Sequence, residues 1–298
     1  MKTIELTDGI FHLVGGVNIG LVVREGHALL IDAGLDEDAA RRALRAAEER
    51  GVTITAAFLT HAHADHFGGA HFLQRRLGIT LLAPTLEAAM MENPLIEPLY
   101  LFGGAAPIGE LRGKFTLAQP CQIARAVGPG PLEIGPFQAD VVPLPGHAPQ
   151  QAGLAVDEVL FCADAVFPPE TLQKHKVTFC VDMDETLATL ERLPTMPYAH
   201  FAPGHGPAYA AGDEIACACA ANRQRLEAVR EQVLAALATP QDTAALVAHV
   251  ADHFALRLTT ATSYFLTQTT ILAALASLER AGKAQAIITD NRLLWQRP

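Results

Sequence analysis

Short apolar runs cut by glycine turns open the chain. Residues 3–6, 10–14, 18–23 and 28–32 read as four strands, divided by Asp8-Gly9, Gly15-Gly16 and Glu25-Gly26. From Asp36 to Arg50 the apolar positions fall on one helical face, with an acidic first turn and Gly51 just past the end. Ile54-Thr55-Ala56-Ala57-Phe58-Leu59 is a continuous apolar run, as a buried strand requires. Strand and helix then alternate to about Met91. Further strand-like runs are 139–144, 159–163 and the short 199–201. Residues 213–238, 242–251 and 260–281 predict three helices, and 284–295 a hairpin around Asp290-Asn291. Between Glu92 and Pro131 the chain is rich in Pro and Gly and has no clear period. A connection that long inside a compact domain is usually functional, so 92–131 predicts a lid or substrate wall, lined by Asn93, Tyr100 and Phe102.

Candidate chemistry is concentrated where strands end. Thr60-His61-Ala62-His63-Ala64-Asp65-His66 packs three imidazoles and a carboxylate into six positions directly after the 54–59 strand. Imidazole and carboxylate are the ligands that suit zinc, iron and manganese. His61 and His63 are two apart, a spacing that shares a face only in extended chain. Phe67-Gly68-Gly69-Ala70 then leads into a helix, which puts the cluster at the carboxyl edge of a sheet. His147 in Pro145-Gly146-His147, Asp164 after Val159-Leu160-Phe161-Cys162-Ala163, and His205 in Pro203-Gly204-His205-Gly206 each follow a strand-like run.

In these motifs the chain resembles the metallo-β-lactamase superfamily over roughly residues 1–210. The H-x-H-x-D-H motif is His61, His63, Asp65 and His66; the later motifs match His147, Asp164 and His205, and the early aspartate matches Asp32. The resemblance implies an α/β protein with an αββα sandwich. It implies that His61, His63 and His147 hold one metal and Asp65, His66 and His205 another, with Asp164 and a hydroxide bridging them. Asp65 and Asp164 are then the catalytic carboxylates, and Asp32 orients the ligands through hydrogen bonds. Two cations about 3.5–4 Å apart make a hydroxide nucleophile available at neutral pH. The implied cofactor is two divalent ions, zinc first, with iron or manganese as alternatives. The implied reaction is hydrolysis of a small ester, thioester or lactone, as in hydroxyacylglutathione hydrolases.

Two relatives are excluded by ligand identity. Flavodiiron oxidoreductases carry glutamate where His63 stands, and β-lactamases with a cysteine ligand lack the aspartate at 164. A mononuclear iron dioxygenase of the persulfide type stays open, because its two-His, one-carboxylate set is a subset of this one. A phosphodiesterase or ribonuclease is the other alternative, since the three helices and hairpin of the tail resemble a winged helix. The expected division is a catalytic domain over 1–212 and a small, mostly helical winged-helix-like domain over 213–298.

Charge bears on that alternative. The chain carries a net charge of −10. From Glu214 onward there are eight Lys and Arg against seven Asp and Glu, a charge of +1, which leaves −11 on the rest. A nucleic-acid reader shows a strongly basic face, so a nucleic-acid partner is disfavoured and the tail is expected to brace the hydrolase or make a homodimer contact. Lys174-His175-Lys176 is a basic patch that could meet an anionic substrate group. No apolar run reaches 18 residues, so no membrane span is expected. The first residues lack a signal-peptide pattern and five scattered cysteines suggest no disulfide framework, so a cytoplasmic enzyme with a small-molecule substrate is expected.

Overall fold

The computed structural model describes residues 2–298. Four strands come first: β1 (Lys2–Thr7), β2 (Ile10–Val14), β3 (Ile19–Arg24) and β4 (His27–Ile31). Helix α1 (Glu37–Glu48), strand β5 (Thr53–Phe58), helices α2 (Ala64–Phe67) and α3 (Ala70–Leu77), strand β6 (Thr80–Pro84) and helices α4 (Thr85–Glu92) and α5 (Ile96–Leu101) follow. Strand β7 (Arg125–Val127) closes this half. The first sheet runs β1 to β7 in order, antiparallel through β4 and parallel beyond it.

The second sheet contains β8 (Gly130–Ile134), β9 (Phe137–Pro143), β10 (Ala152–Val156), β11 (Val159–Ala163), β12 (His200–Pro203) and β13 (Tyr209–Ala210), with β13 at one edge and β8 at the other. Helices α6 (Pro169–Lys174) and α7 (Met183–Arg192) lie between β11 and β12. Helices α8 (Asp213–Ala236), α9 (Thr243–His253) and α10 (Ala261–Arg280) precede the hairpin β14 (Gln285–Thr289) and β15 (Arg292–Gln296).

The two sheets face each other. Leu29, Ile31 and Phe58 of the first meet Phe137, Leu154 and Phe161 of the second in one buried layer. Burying each such side chain contributes about 1.5–3 kcal/mol. At Gly20 an added Cβ would sit 2.5 Å from the Phe161 ring, so only glycine lets the sheets close there. The outer face of the first sheet packs against α1, α3 and α4 through Leu30, Ala43, Leu73 and Met91. Strands β10 and β11 are buried at every position, which is why their sequences run apolar without alternating. The resulting order is helix, sheet, sheet, helix, the sandwich expected from the motifs.

Helices α8 to α10 form the second outer layer. Ile215, Leu226 and Val229 of α8, Val250 of α9 and Ile271 and Leu275 of α10 join one cluster with Leu160, Cys162 and Phe201 of the second sheet. The three helices and the hairpin fall where the periodicity set them. Asp242 caps α9 by accepting from Ala245 N, and Thr260 and Ser263 close a capping box on α10. Thr270 and Ile271 of α10, the helix that a winged helix would turn to bases, are fully buried.

The segment 92–131 is less irregular than its composition predicts. It contains α5, a 3-10 turn at Gly109–Arg112, the whole of β7 and the start of β8. Pro98 does not break α5, because it occupies the first turn, where an N–H has no helical partner. The insert is fastened to the tail: Glu110 Oε1 accepts from Ala261 N at 2.7 Å, and the Phe102 ring meets Phe265 edge-on at 5.3 Å. No helix is long and apolar enough to cross a membrane among the described residues.

Candidate metal centre

β5 delivers the first two histidines. The chain stays extended through His63 (φ −79°, ψ 138°), and α2 begins at Ala64, placing Asp65 and His66 on its first turn. The turn after β4 packs against α2 backbone to backbone, with Ala33 N and Gly34 N both donating to His66 O at 2.7 and 3.0 Å. Gly68 and Gly69 allow that approach. An added Cβ at Gly68 would sit 2.0 Å from Leu35 O, and one at Gly69 2.4 Å from Ala33 O.

The remaining ligand candidates come from the second sheet. His147 follows β9, Asp164 follows β11 and His205 follows β12. All seven side chains converge. His61, His63 and His147 form one group, His61, His66 and Asp164 a second, and Asp65, His66 and His205 a third, with donor atoms in each group within 4.8 Å of one another. Asp164 stands between the outer groups: its Oδ2 is 3.5 Å from His147 Nε2 and 3.5 Å from His205 Nε2. Gly204 is needed there, since its Cβ would fall 2.2 Å from Asp164 Oδ1 and 2.6 Å from His66 Cε1.

Four imidazoles are held from behind. His66 Nδ1 donates to Asp32 Oδ2 at 2.8 Å, and His147 Nδ1 to the Phe179 carbonyl at 3.0 Å. His205 Nδ1 donates to the Gly16 carbonyl at 2.9 Å. Thr60 Oγ1 donates to Asp32 and accepts from His61 Nδ1 at 3.0 Å. With each Nδ1 protonated, each Nε2 lone pair turns inward, the arrangement in which histidine binds metal. Asp32 therefore contacts two of these rings, one directly and one through Thr60.

A cation fits what remains. His61 Nε2, His66 Nε2 and Asp164 Oδ1 are buried without a hydrogen-bond partner, and the 3.3 Å from His66 Nε2 to Asp164 Oδ1 is too poorly aligned to count as one. Burial, then the neighbouring imidazoles, hold His61 and His63 well below the usual histidine range. Burial also lowers His147. These three are neutral at pH 7, the form that ligates. Burial opposes the charge on His66 and His205, but Asp164 and Asp65 outweigh it and raise both. Asp164 is buried, yet His205 and His66 keep its carboxyl well below the normal range and so ionised. His61, His63 and His147 are thus already neutral donors and Asp164 an ionised one, while His66 and His205 carry protons that a divalent ion would displace on binding.

The proposed substrate contacts are placed differently from one another. Asn93 is exposed and donates to Ala89 O at 3.0 Å, closing α4 rather than reaching toward a ligand. Phe102 is occupied with Phe265. Tyr100 packs against the core of the first half, beside Glu97 and Glu87. Lys174 and His175 are exposed at the end of α6, and burial followed by the charges of Lys174 and His205 lowers the His175 pKa. Lys176 turns away, its Nζ donating to Ala255 O at 3.4 Å.

Several functional neighbours are absent from the sequence reading. Phe179 lies 5.2 Å from the His63 ring and 5.6 Å from His147; Phe167 lies 5.6 Å from His147 and 6.2 Å from His205. Both rings are half-buried and flank the centre. Glu87 is wholly buried and accepts from Ala62 N at 2.8 Å and Gln150 N at 2.7 Å, tying the His61–His63 loop to the His147 loop. One signal was available: Glu87 is the single charged residue in Thr85-Leu86-Glu87-Ala88-Ala89-Met90-Met91. Glu87→Ala leaves one buried and one part-buried N–H group unpartnered, and should lower unfolding free energy by about 1–3 kcal/mol, measured by urea denaturation.

A sandwich with this ligand order defines a metallo-β-lactamase-fold metallohydrolase. The profile of the Metallo-beta-lactamase superfamily matches residues 12–205, and the chain belongs to that superfamily. It is 27% identical over 196 residues to a probable metallo-hydrolase of Bacillus subtilis (strain 168), a match covering 64% of this chain and 85% of that protein. It is 29% identical over 149 residues to a hydroxyacylglutathione hydrolase of Albidiferax ferrireducens, covering 50% of this chain but only 47% of that enzyme. Among solved structures, a beta-lactamase domain protein from Burkholderia ambifaria superposes with a TM-score of 0.76 at 22% identity, over 100% of this chain and 94% of that one. A metallo-beta-lactamase family protein from Thermus thermophilus also gives 0.76, at 21% identity, over 99% and 100%. The shared fold thus includes the C-terminal helices.

Proposed function

We propose that the protein is a dinuclear metal-dependent hydrolase of a small, partly apolar ester, thioester or lactone. One observation carries this reading: Asp164, ionised and buried, lies between two histidine groups, and His61 Nε2, His66 Nε2 and its own Oδ1 are buried there without a hydrogen-bond partner. His61, His63 and His147 would hold one ion, Asp65, His66 and His205 the other, and Asp164 both. When bound, such a pair supplies a hydroxide nucleophile at neutral pH and a Lewis acid for the scissile carbonyl. Zinc suits the imidazole-rich set best.

The chain's own groups do the rest. Asp32, Thr60 and the carbonyls of Gly16 and Phe179 fix the direction of four imidazoles, so little reorganisation accompanies reaction. Phe167 and Phe179 supply apolar walls that exclude water and seat an uncharged acyl group. The relatives named for thioester hydrolysis agree with this class. Their substrate's glutathionyl part is not carried over, because the match covers less than half of those enzymes.

Two measurements test the reading. Elemental analysis of protein purified without chelators should give two ions per chain, chiefly zinc. Metal-loaded protein should then hydrolyse members of an ester, thioester and lactone panel and leave phosphodiesters intact; efficient RNA or DNA cleavage with inert esters would reverse the order. Phe179→Ala should lower kcat/KM about tenfold for an aromatic or long aliphatic acyl ester, from the lost apolar contact. It should change an acetyl ester little, since the 179 carbonyl that holds His147 remains.

A further inference from the structure

Segment 178–182 touches the centre twice, through the Phe179 carbonyl on His147 Nδ1 and the Phe179 ring on His63 and His147. It has no strand or helix to fix it. Its position comes from two sides. On one, Val181 N and Asp182 N donate to the Gly146 carbonyl at 2.8 and 3.1 Å, beside His147. On the other is α10. Thr270, fully buried, donates from Oγ1 to the Thr178 carbonyl at 3.1 Å and accepts from Cys180 N at 3.3 Å. One hydroxyl thus bridges the residues before and after Phe179. Arg280, a few turns along the same helix, donates to Asp182 Oδ1 at 2.9 Å and to Asp184 Oδ2 at 2.7 Å.

The two nearest threonines of α10 behave differently. Thr267 and Thr269 bond back to the carbonyls of Ser263 and Phe265 within the helix, at 2.9 Å each, the usual local use of a helical threonine. Thr270 also lies near its own Leu266 carbonyl, at 3.4 Å, but its shorter bond leaves the helix. A bond across to an irregular segment fixes that segment in a way a bond inside the helix does not.

We propose that the C-terminal helix α10 is part of the catalytic scaffold, with Thr270 and Arg280 as positioning residues that aim His147 and seat Phe179. The tail then serves the site by holding a ligand's backing carbonyl in place. The proposal rests on His147 being a metal ligand, and its test reads the metal directly.

Zinc affinity is measured by competition with a chromogenic chelator on the full-length protein, alongside kcat and KM for an apolar acyl ester. Thr270→Val keeps the side-chain shape and removes the hydroxyl. It should weaken the ion held by His61, His63 and His147 about tenfold, as lost backing of a ligand does. The second ion should hold as in wild type, and KM should rise as Phe179 shifts. Thr270→Ser should restore both, and Thr269→Val should match wild type. Should Thr270→Val not fold, the exposed Arg280→Gln decides, with an expected fall in affinity of about threefold from losing a surface ion pair. Wild-type zinc affinity in Thr270→Val or, failing that, in Arg280→Gln would overturn the proposal, as would a serine variant as weak as the valine one. Wild-type protein that binds two ions while the variants do likewise refutes only this proposal. Wild-type protein that binds none overturns the metal centre and this role with it.

Discussion

Asp164→Ala protein should retain no more than one ion per chain and lose between about a hundredfold and ten-thousandfold in kcat/KM. The range comes from the cost of breaking a buried charge pair by removing one partner, roughly 3–5 kcal/mol. Here the cost falls on two histidine groups at once. Asp164 Oδ2 is the carboxylate oxygen nearest both His147 and His205, and its charge, with that of Asp65, holds His66 and His205 in their raised range. Asp164→Asn preserves the volume under Gly204, where no side chain fits, and so separates loss of charge from collapse of the site. Both variants should lose metal alike. Two ions and full turnover in either would remove Asp164 from the centre.

Asp32→Asn should weaken metal binding by about 10–100-fold while leaving the protein folded. Asp32 adopts φ 64°, a left-handed conformation that asparagine tolerates and alanine resists, so asparagine is the cleaner probe. Its carboxylate accepts from Thr60 N, Thr60 Oγ1 and His66 Nδ1. An amide retains one acceptor and turns an N–H toward a group that also donates. His66 must then shift its proton to the inward nitrogen or lose its hydrogen bond, and either outcome spoils it as a ligand. Chelator competition reads the affinity, and histidine NMR shifts read the tautomer. Unchanged affinity with an unchanged His66 signal would show that the carboxylate charge contributes nothing.

How much of this was legible in the chain depends on distance along it. His61, His63, Asp65 and His66 could be read because extended chain and a helix start are local consequences of local sequence. His147, Asp164 and His205 could be read because each follows an apolar strand, and sheet architecture brings such ends to one edge. Asp32 needed only the same rule. Phe179 and Thr270 could not. Nothing near position 179 indicates that its carbonyl will meet a histidine 32 residues earlier, and Thr270 looks like its neighbours Thr267 and Thr269 until the fold places Cys180 beside it. The surroundings of Asn93 were hidden for a related reason. A Pro- and Gly-rich stretch looks like open loop, yet its Asn93 amide folds back on α4, and its later part builds β7 and β8. The winged-helix resemblance followed element order alone, and order does not reveal which face of α10 turns inward, as Thr270 and Ile271 do.

The layer formed by α8, α9 and α10 has a consequence for how this chain can vary. Leu160, Cys162 and Phe201 share one buried cluster with Ile215, Leu226 and Ile271 of that layer. A shortened relative that ended near residue 212 would need new polar faces on strands whose other sides already line the sandwich interior. Exchanging the terminal helices alone for those of a homologue should therefore lower stability unless the facing residues of the second sheet are exchanged with them.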